Sequence, residues 1–298
     1  RRAARLREAG VRSVADLGCG VGSDTVAFAR AGLRVRAVEA DPEVAAVAAA
    51  NLAALGLSRT ASVECGPAES VDLSDVDAAF CDPARRSASG RRVFDPAAYS
   101  PPWSFVAGLP ARVPATVLKL APGIDHALLP PGAEAEWVSV NRELVETTVW
   151  CGPLARARRR ATVLVERPRP AAPPAGPAAP RHLDPPPEPA VTVAELVGTG
   201  ERTAPVGPVR RFLYDPDPAV VRSHLVAEFA DTVDGTLADP TIGYVFADRA
   251  TRTPYARCLE VVEVLPFSVK RLRAALRAAG VGRVEILKRG SAVDPDRL

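Results

Sequence analysis

The order of apolar and polar positions divides the chain into stretches of different rhythm. Residues 13–17 form a short apolar run that stops at a glycine-rich turn, 24–31 read as a helix, and 33–39 alternate as a strand that ends at Asp41-Pro42. Residues 43–55 predict a helix with Val44, Val47, Ala48 and Leu52 near one face. Pro42 suits its first turn and Gly56 is placed to end it. Runs at 61–65, 76–81 and 115–120 are further strand candidates. Strands separated by helices or crossovers pack as βαβ units on a mostly parallel sheet. Beyond Gly123 the rhythm changes: 136–140, 145–150 and 162–166 are strand-like with no helix between them, which predicts an antiparallel edge.

Residues 167–190 hold ten prolines in 24 positions, a composition that favours extended polyproline II and reads as a semi-rigid linker. After it, 219–230 look helical, with Val221, Leu225 and Phe229 at four-residue spacing. Ser268 can cap a helix over 269–279 that Gly280 ends, and 283–288 alternate as a strand. The expected organisation is a domain over 1–166, a linker over 167–190 and a smaller C-terminal α+β region over 191–298.

Composition narrows the possibilities. Of 298 residues, 47% are hydrophobic and 24% charged, as in a soluble protein with a core. No apolar stretch approaches the ~18 residues of a membrane span. The five cysteines are odd in number and widely spaced, without a C-x-x-C pair, which argues against a disulfide framework or a zinc site and for a reducing cytoplasm. His126, His182 and His224 are scattered, supporting neither a metal site nor a Ser-His-Asp arrangement. The net charge of +3 is too small to argue nucleic-acid binding by itself, although residues 255–298 carry nine basic side chains against five acidic ones. The chain contains no Met, so its native start is expected to lie outside this sequence.

The first candidate chemistry is Asp16-Leu17-Gly18-Cys19-Gly20-Val21-Gly22, which closes the first strand and opens the first helix. Glycines there let the backbone approach a ligand, and a helix N-terminus favours anionic groups. Glu39 ends the next strand, where an acid can accept both ribose hydroxyl hydrogens of a nucleoside. The spacing is G-x-G-x-G rather than the dinucleotide G-x-G-x-x-G, with an acid two residues before the first glycine. A pyrophosphate needs no carboxylate beside it. A cofactor carrying an amino group and a sulfonium does, and Asp16 is placed to offset that charge.

With these residues the sequence resembles the class I S-adenosylmethionine-dependent methyltransferases over roughly 10–166. Asp16, Gly18, Gly20 and Gly22 match the first motif, and Glu39 its ribose-binding acid. The resemblance implies a Rossmann-like α/β fold with seven strands, S-adenosylmethionine as cofactor over the strands' carboxyl ends, and an antiparallel edge. It also implies an acid near the adenine after the third strand. Pro67 stands where that acid tends to fall, and Glu69 or a backbone amide is left to replace it.

The fourth strand runs into Asp82-Pro83-Ala84-Arg85-Arg86, where amino-methylating members of the family carry an acid or amide, two prolines and an aromatic. A carboxylate and a backbone carbonyl there can hold amine hydrogens while the nitrogen pyramidalises toward the methyl group. Ser100-Pro101-Pro102-Trp103 fits the pattern better by letter. Position favours Asp82, because only 95–99 precede Ser100 and Pro96 argues against a central strand. The expected catalytic residues are therefore Asp82, Pro83 and Arg85. Trp103, Phe94 or Tyr99 can supply the stacking that Arg85 lacks, the arginines at 85, 86, 91 and 92 suit a polyanion, and Lys119 ends the fifth strand at the same edge.

Residues 255–298 resemble the THUMP-like domain appended to a bacterial group of class I methyltransferases, through 264–272 and 286–295. That resemblance implies RNA as partner and continuation of the group past both ends of this chain; with the likeness of Asp82-Pro83 to the amino-methylating members, the expected target is a base nitrogen of tRNA or rRNA. Lys270, Arg273 and Arg277 line one face of the predicted helix, and Lys288 and Arg289 open a turn suited to phosphate. The competing readings are an RNA-binding protein that keeps the fold without catalysis, and a small-molecule methyltransferase. Neither metal nor membrane is expected, and the oligomeric state stays open.

Overall fold

The computed structural model describes residues 1–84, 99–166 and 191–289. Its elements in chain order are α1 (Arg2–Glu8), β1 (Ser13–Leu17), α2 (Ser23–Arg30), β2 (Arg34–Glu39), α3 (Pro42–Ala54), β3 (Ala61–Cys65), β4 (Ala78–Cys81), α4 (Trp103–Arg112), β5 (Thr116–Leu120), β6 (Glu134–Val140), β7 (Glu143–Trp150) and β8 (Arg159–Glu166). Beyond the proline-rich segment come β9 (Val191–Gly198), β10 (Phe212–Pro216), α5 (Pro218–Arg222), α6 (Val226–Thr232), β11 (Thr236–Asp239), β12 (Ile242–Ala247), β13 (Ala256–Glu260) and α7 (Val269–Ala278).

The fold is mixed α/β, with a large, mostly parallel sheet and a small antiparallel one. The large sheet runs β3-β2-β1-β4-β5-β7-β6-β8-β9. Its first seven strands are the seven the resemblance implies, and β8 and β9 extend it to nine. The terminal hairpin left open by the sequence is β6–β7, with β7 antiparallel to both β5 and β6. β9 pairs antiparallel with β8 along its whole length, so this sheet continues on the far side of residues 167–190. β1 is parallel to β2 on one side and to β4 on the other, while the chain leaves in opposite directions. The loops at the carboxyl ends of β1 and β4 therefore diverge and leave a crevice between them.

Alternation along the central strands feeds two cores. Val14, Phe80 and Val117 pack with Leu6, Phe28 and Leu33 under α1 and α2, whereas Ala15, Leu17, Cys81 and Leu118 pack with Tyr99, Val106 and Leu109 under α4. The Val, Leu and Phe side chains among these are each worth roughly 1.5–3 kcal/mol relative to exposure. A third core joins Trp137 of β6 and Ala161 of β8 to Tyr214, Val220, Leu225 and Phe229, so the β10–β13 sheet and its helices sit against the outer strands.

Two expectations are corrected. The helix expected over 219–230 is broken into α5 and α6 at His224, whose φ of 61° no helix interior accommodates. Residues 283–288 form no strand. Val284 and Ile286 are 52% and 41% exposed, and no described strand edge pairs with this run to satisfy its backbone groups.

Candidate active site

The glycine-rich turn is held from below by backbone. Gly18 and Cys19 donate their N–H groups to the carbonyl of Val38 at 2.9 and 3.0 Å, tying the turn to the end of β2. Gly18 has φ of +80°, and a Cβ there would lie 3.4 Å from the Asp82 carbonyl, so the glycine lets the first turn close on the end of β4. Gly22, at φ +87°, caps α2, where a Cβ would touch Ala48 of α3 at 3.5 Å.

Above this turn lies a cleft of about 580 Å³. Asp16, Gly18, Gly20, Glu39, Glu69, Asp82, Pro83 and Lys119 all line it, and so do Asp24, Ser100 and Pro101. The two tetrapeptides that compete in the sequence thus meet at one place. Ala84 and Ser100 form an antiparallel bridge, with Ala84 N–H donating to the Ser100 carbonyl at 2.7 Å and Ser100 N–H to the Ala84 carbonyl at 3.2 Å. Trp103 does not line the cleft. It starts α4 and packs edge-on against Tyr99, 6.2 Å between ring centroids. Arg85 lies outside the described residues. Lys270, Arg273 and Arg277 sit on α7, away from the cleft lining, and Lys288 is exposed. Arg289 is turned inward, bonding the Asp215 carboxylate at 2.7 Å and the Pro216 carbonyl at 3.0 Å.

The electrostatics suit a cation. Five carboxylates line the cleft (Asp16, Asp24, Glu39, Glu69, Asp82), and among the described lining residues Lys119 is the one base. Asp16 is fully buried. Its Oδ2 accepts from the Thr25 hydroxyl at 2.5 Å, and its Oδ1 has no partner among the described residues. Burial pushes its pKa up to about 7; the Thr25 hydrogen bond opposes this, and Asp24 and Asp82 add to it. Glu39 accepts the Gly20 N–H at 2.9 Å through Oε2 and the Asp41 N–H at 3.1 Å through Oε1. A carboxylate has lone pairs beyond these two, so the acid that shapes the loop can also accept from hydroxyls. Burial, with Asp16 and Glu39 adding to it, pushes the Cys19 thiol up to about 12, which leaves it a neutral wall.

A larger cavity, about 670 Å³, opens between α1 and the β6–β8 face. Among the described residues it shares only Asp24 with the glycine-turn cleft, and its Arg1, Arg2 and Arg160 are paired with Glu136, Glu146 and Glu195. Sequence reasoning missed Asp24 and Thr25. The available signal was their place in the first turn of α2, two and three residues after Gly22, where a side chain faces back over the end of β1.

Fold and cleft together define a class I methyltransferase, and comparison with known proteins agrees. Residues 14–89 match the family described as methyltransferase domain, and residues 256–298 match the family described as THUMP domain-like. Two uncharacterized S-adenosylmethionine-dependent methyltransferases, from two strains of Mycobacterium tuberculosis, are each 33% identical over 306 residues, covering 99% of this chain and 74% of theirs. The crystal structure of a Porphyromonas gingivalis W83 protein described as a methyltransferase shares the fold, with a TM-score of 0.59 at 19% identity over 93% of this chain and 68% of that one. The chain belongs to the S-adenosylmethionine-dependent methyltransferases, and S-adenosylmethionine is its cofactor. The orphaned Asp16 oxygen and the acid-lined cleft fit a ligand that carries an ammonium and a sulfonium.

Asp16 yields a pH prediction. Its folded pKa near 7 lies above the unfolded 3.8, so the stability it contributes is full below about pH 4 and lost as pH rises through 7. A cationic ligand favours the ionised form, so cofactor affinity should rise from pH 6 to pH 8. Asp16→Asn should flatten that rise and shrink the difference in melting temperature between pH 4 and pH 8. Calorimetric titration and thermal melts at the two pH values check both; an unchanged slope in the variant would remove Asp16 from the site.

Proposed function

We propose that the protein transfers a methyl group from S-adenosylmethionine to a base nitrogen of RNA, tRNA or rRNA, in the cytoplasm. The observation that carries this reading is the meeting of Asp82-Pro83, at the carboxyl end of β4, with the glycine-rich turn in one cleft. The bound cofactor supplies an electrophilic methyl group on sulfur. An exocyclic amine has its lone pair conjugated into the ring, and Asp82 accepts its hydrogens so that the nitrogen can turn toward the methyl carbon. Pro83 fixes the backbone that presents the carboxylate. The remaining work is positioning at contact distance, the effect that makes bound reactants effectively unimolecular. Gly18, Gly20, Gly22 and Glu39 serve the nucleoside portion, Glu69 lies beside it, and Asp16 serves the amino-acid portion.

RNA is supported by the THUMP domain-like match and by the charge of α7. Ser268 caps this helix, which places Lys270, Arg273 and Arg277 on its exposed side. Arg289 is held by Asp215, whereas Lys270, Arg273, Arg277 and Lys288 are all exposed. Each phosphate neutralised adds about 0.7–0.9 to the slope of log affinity on log salt. Changing Lys270, Arg273 and Arg277 to Gln together should weaken RNA binding and lower that slope by about 2. An unchanged slope would make the face ordinary surface.

The direct test incubates the full chain with labelled S-adenosylmethionine and total cellular RNA, then maps modified nucleosides by mass. Label on a base supports the reading. Label on small metabolites, with RNA left blank, overturns it.

A further inference from the structure

Lys119 stands one residue before the end of β5 and reaches across the top of the sheet. Its Nζ lies 2.7 Å from Asp82 Oδ2 and 3.6 Å from Asp24 Oδ2. Asp24 is itself anchored, since its Oδ1 accepts from Arg2 at 2.7 Å, and Arg2 continues to Glu146 of β7. The charges therefore alternate along Glu146, Arg2, Asp24, Lys119 and Asp82, from the outer cavity to the methyl-transfer cleft. Lys119, Asp24 and Asp82 keep only 22%, 21% and 28% of their side-chain surface, so the chain is shielded on most sides.

The sequence presents Lys119 as a substrate-binding cation at the active-site edge. The geometry engages its ammonium otherwise. We propose that Lys119, steadied by Asp24, is a positioning residue that keeps the Asp82 carboxylate ionised and turned into the cleft; this deepens the methyl-transfer reading and rests on it. Three considerations carry the argument. Asp82 shares the cleft with Asp16, Asp24, Glu39 and Glu69, and in a crowd of acids a carboxylate holds a proton unless a cation is nearby. Lys119 is the one described lining residue that can supply that charge. A protonated Asp82 would keep one oxygen as a donor and lose half of its capacity to accept amine hydrogens. Lys119 is no general base: burial works to lower its pKa, but Asp82 and Asp24 outweigh it and hold the ammonium above its ordinary value.

Among the described residues, the charged groups that share the cleft with Asp82 are Lys119 from β5, Asp24 from α2, Asp16 from β1, Glu39 from β2 and Glu69 from the turn after β3, while Arg2 of α1 acts on Lys119. The experiment titrates the Asp82 carboxyl carbon by NMR in the full-length chain and in Lys119→Met, Lys119→Arg and Asp24→Asn. The Met variant should raise the Asp82 midpoint by about one pH unit or more, as loss of an opposite charge within hydrogen-bond distance does. Arg should restore most of the midpoint, and Asp24→Asn, which removes the second acid from Lys119 but also one of the like charges crowding Asp82, should leave the midpoint closer to the parent than to Met. With labelled cofactor and total RNA, Lys119→Met should lower kcat at least about tenfold with KM unchanged. An Asp82 midpoint that stays put in Lys119→Met overturns the proposal. So does a raised KM with intact kcat, which would return Lys119 to the substrate. Should RNA accept no methyl from the parent protein, the reading of substrate fails, and the carboxyl titration still decides the role of Lys119.

Discussion

Asp82→Ala is expected to lower methyl transfer by about two to three orders of magnitude, the usual cost of removing one group aimed at charge that develops in the transition state. Affinity for S-adenosylmethionine should stay within about threefold, because the proposed contact belongs to the reacting amine. The geometry makes this separation testable. Asp82 reaches the cleft from the end of β4, whereas the turn that faces the cofactor is held by Val38 and by Glu39, through Gly20 N–H. The variant also strands Lys119, so Asp82→Asn is the needed companion. Its carbonyl oxygen still accepts an amine hydrogen, and it should retain a measurable rate where Ala does not. Single-turnover transfer to total RNA and calorimetry with cofactor measure the two quantities. Equal loss of both in Asp82→Ala would move the residue into the cofactor's own binding set. Full activity would pass the role to Ser100, whose backbone is bridged to Ala84 beside the same cleft.

What could be read from the sequence follows the range of the forces involved. Strands β1 to β5 and helices α2 and α3 are legible because each carries its own period and its own punctuation, such as Pro42 and Asp41 at the start of α3 and Gly56 after its end. Asp41 even accepts the N–H groups of Glu43 and Val44, as a capping acid should. α1 was not legible. Its sequence is rich in arginine, and its buried face depends on Arg5 finding Glu134, 129 positions away. β9 hides for a similar reason: Val193 and Val197 face solvent, and the strand exists because β8 offers it a long edge. At 283–288 the opposite happens. The alternation is present and the edge is missing, so periodicity alone predicts a strand that pairing does not supply.

The site divides along the same line. The glycine turn, Glu39 and Asp82 sit at strand ends whose positions a βα pattern predicts, and the structure gathers them in one cleft. The ion chain through Asp24 and Lys119 joins α2, β4 and β5, and no local spacing encodes it. Arg289 shows the converse. A basic turn reads as a phosphate site, yet the buried Asp215 takes the guanidinium and Tyr244 lies under it, 5.2 Å from its ring centroid. In an arginine-rich chain the composition supplies many candidate cations, and burial decides which of them remain available.

The largest stability effect is expected at Glu134, which is 0% exposed at the start of β6. Its Oε1 accepts from Arg5 at 3.1 Å and Arg160 at 2.7 Å; its Oε2 accepts from Arg5 at 2.5 Å and from the N–H groups of Arg156 and Ala157 at 2.7 and 3.1 Å. Burial alone would raise its pKa, but the hydrogen bonds from Arg5 and Arg160 and from the Arg156 amide win and hold it down to about 2. Against the ordinary 4.5 this corresponds to about 3 kcal/mol of linkage. That contribution is present above pH 4.5 and is lost as pH falls from there toward 2. Glu134→Ala strands two guanidinium groups, one of them lying 4.1 Å from the Trp150 ring centroid, and should cost about 3–5 kcal/mol. For a chain of this size that is a fall of about 10 °C in Tm. Glu134→Gln keeps the shape and loses the charge, and should fall between parent and Ala. The difference between parent and Glu134→Ala should shrink when both are melted near pH 3, because the parent is then losing the same interaction to protonation. A gap that keeps its full size at pH 3 would assign the effect to packing around β6 and not to the buried carboxylate.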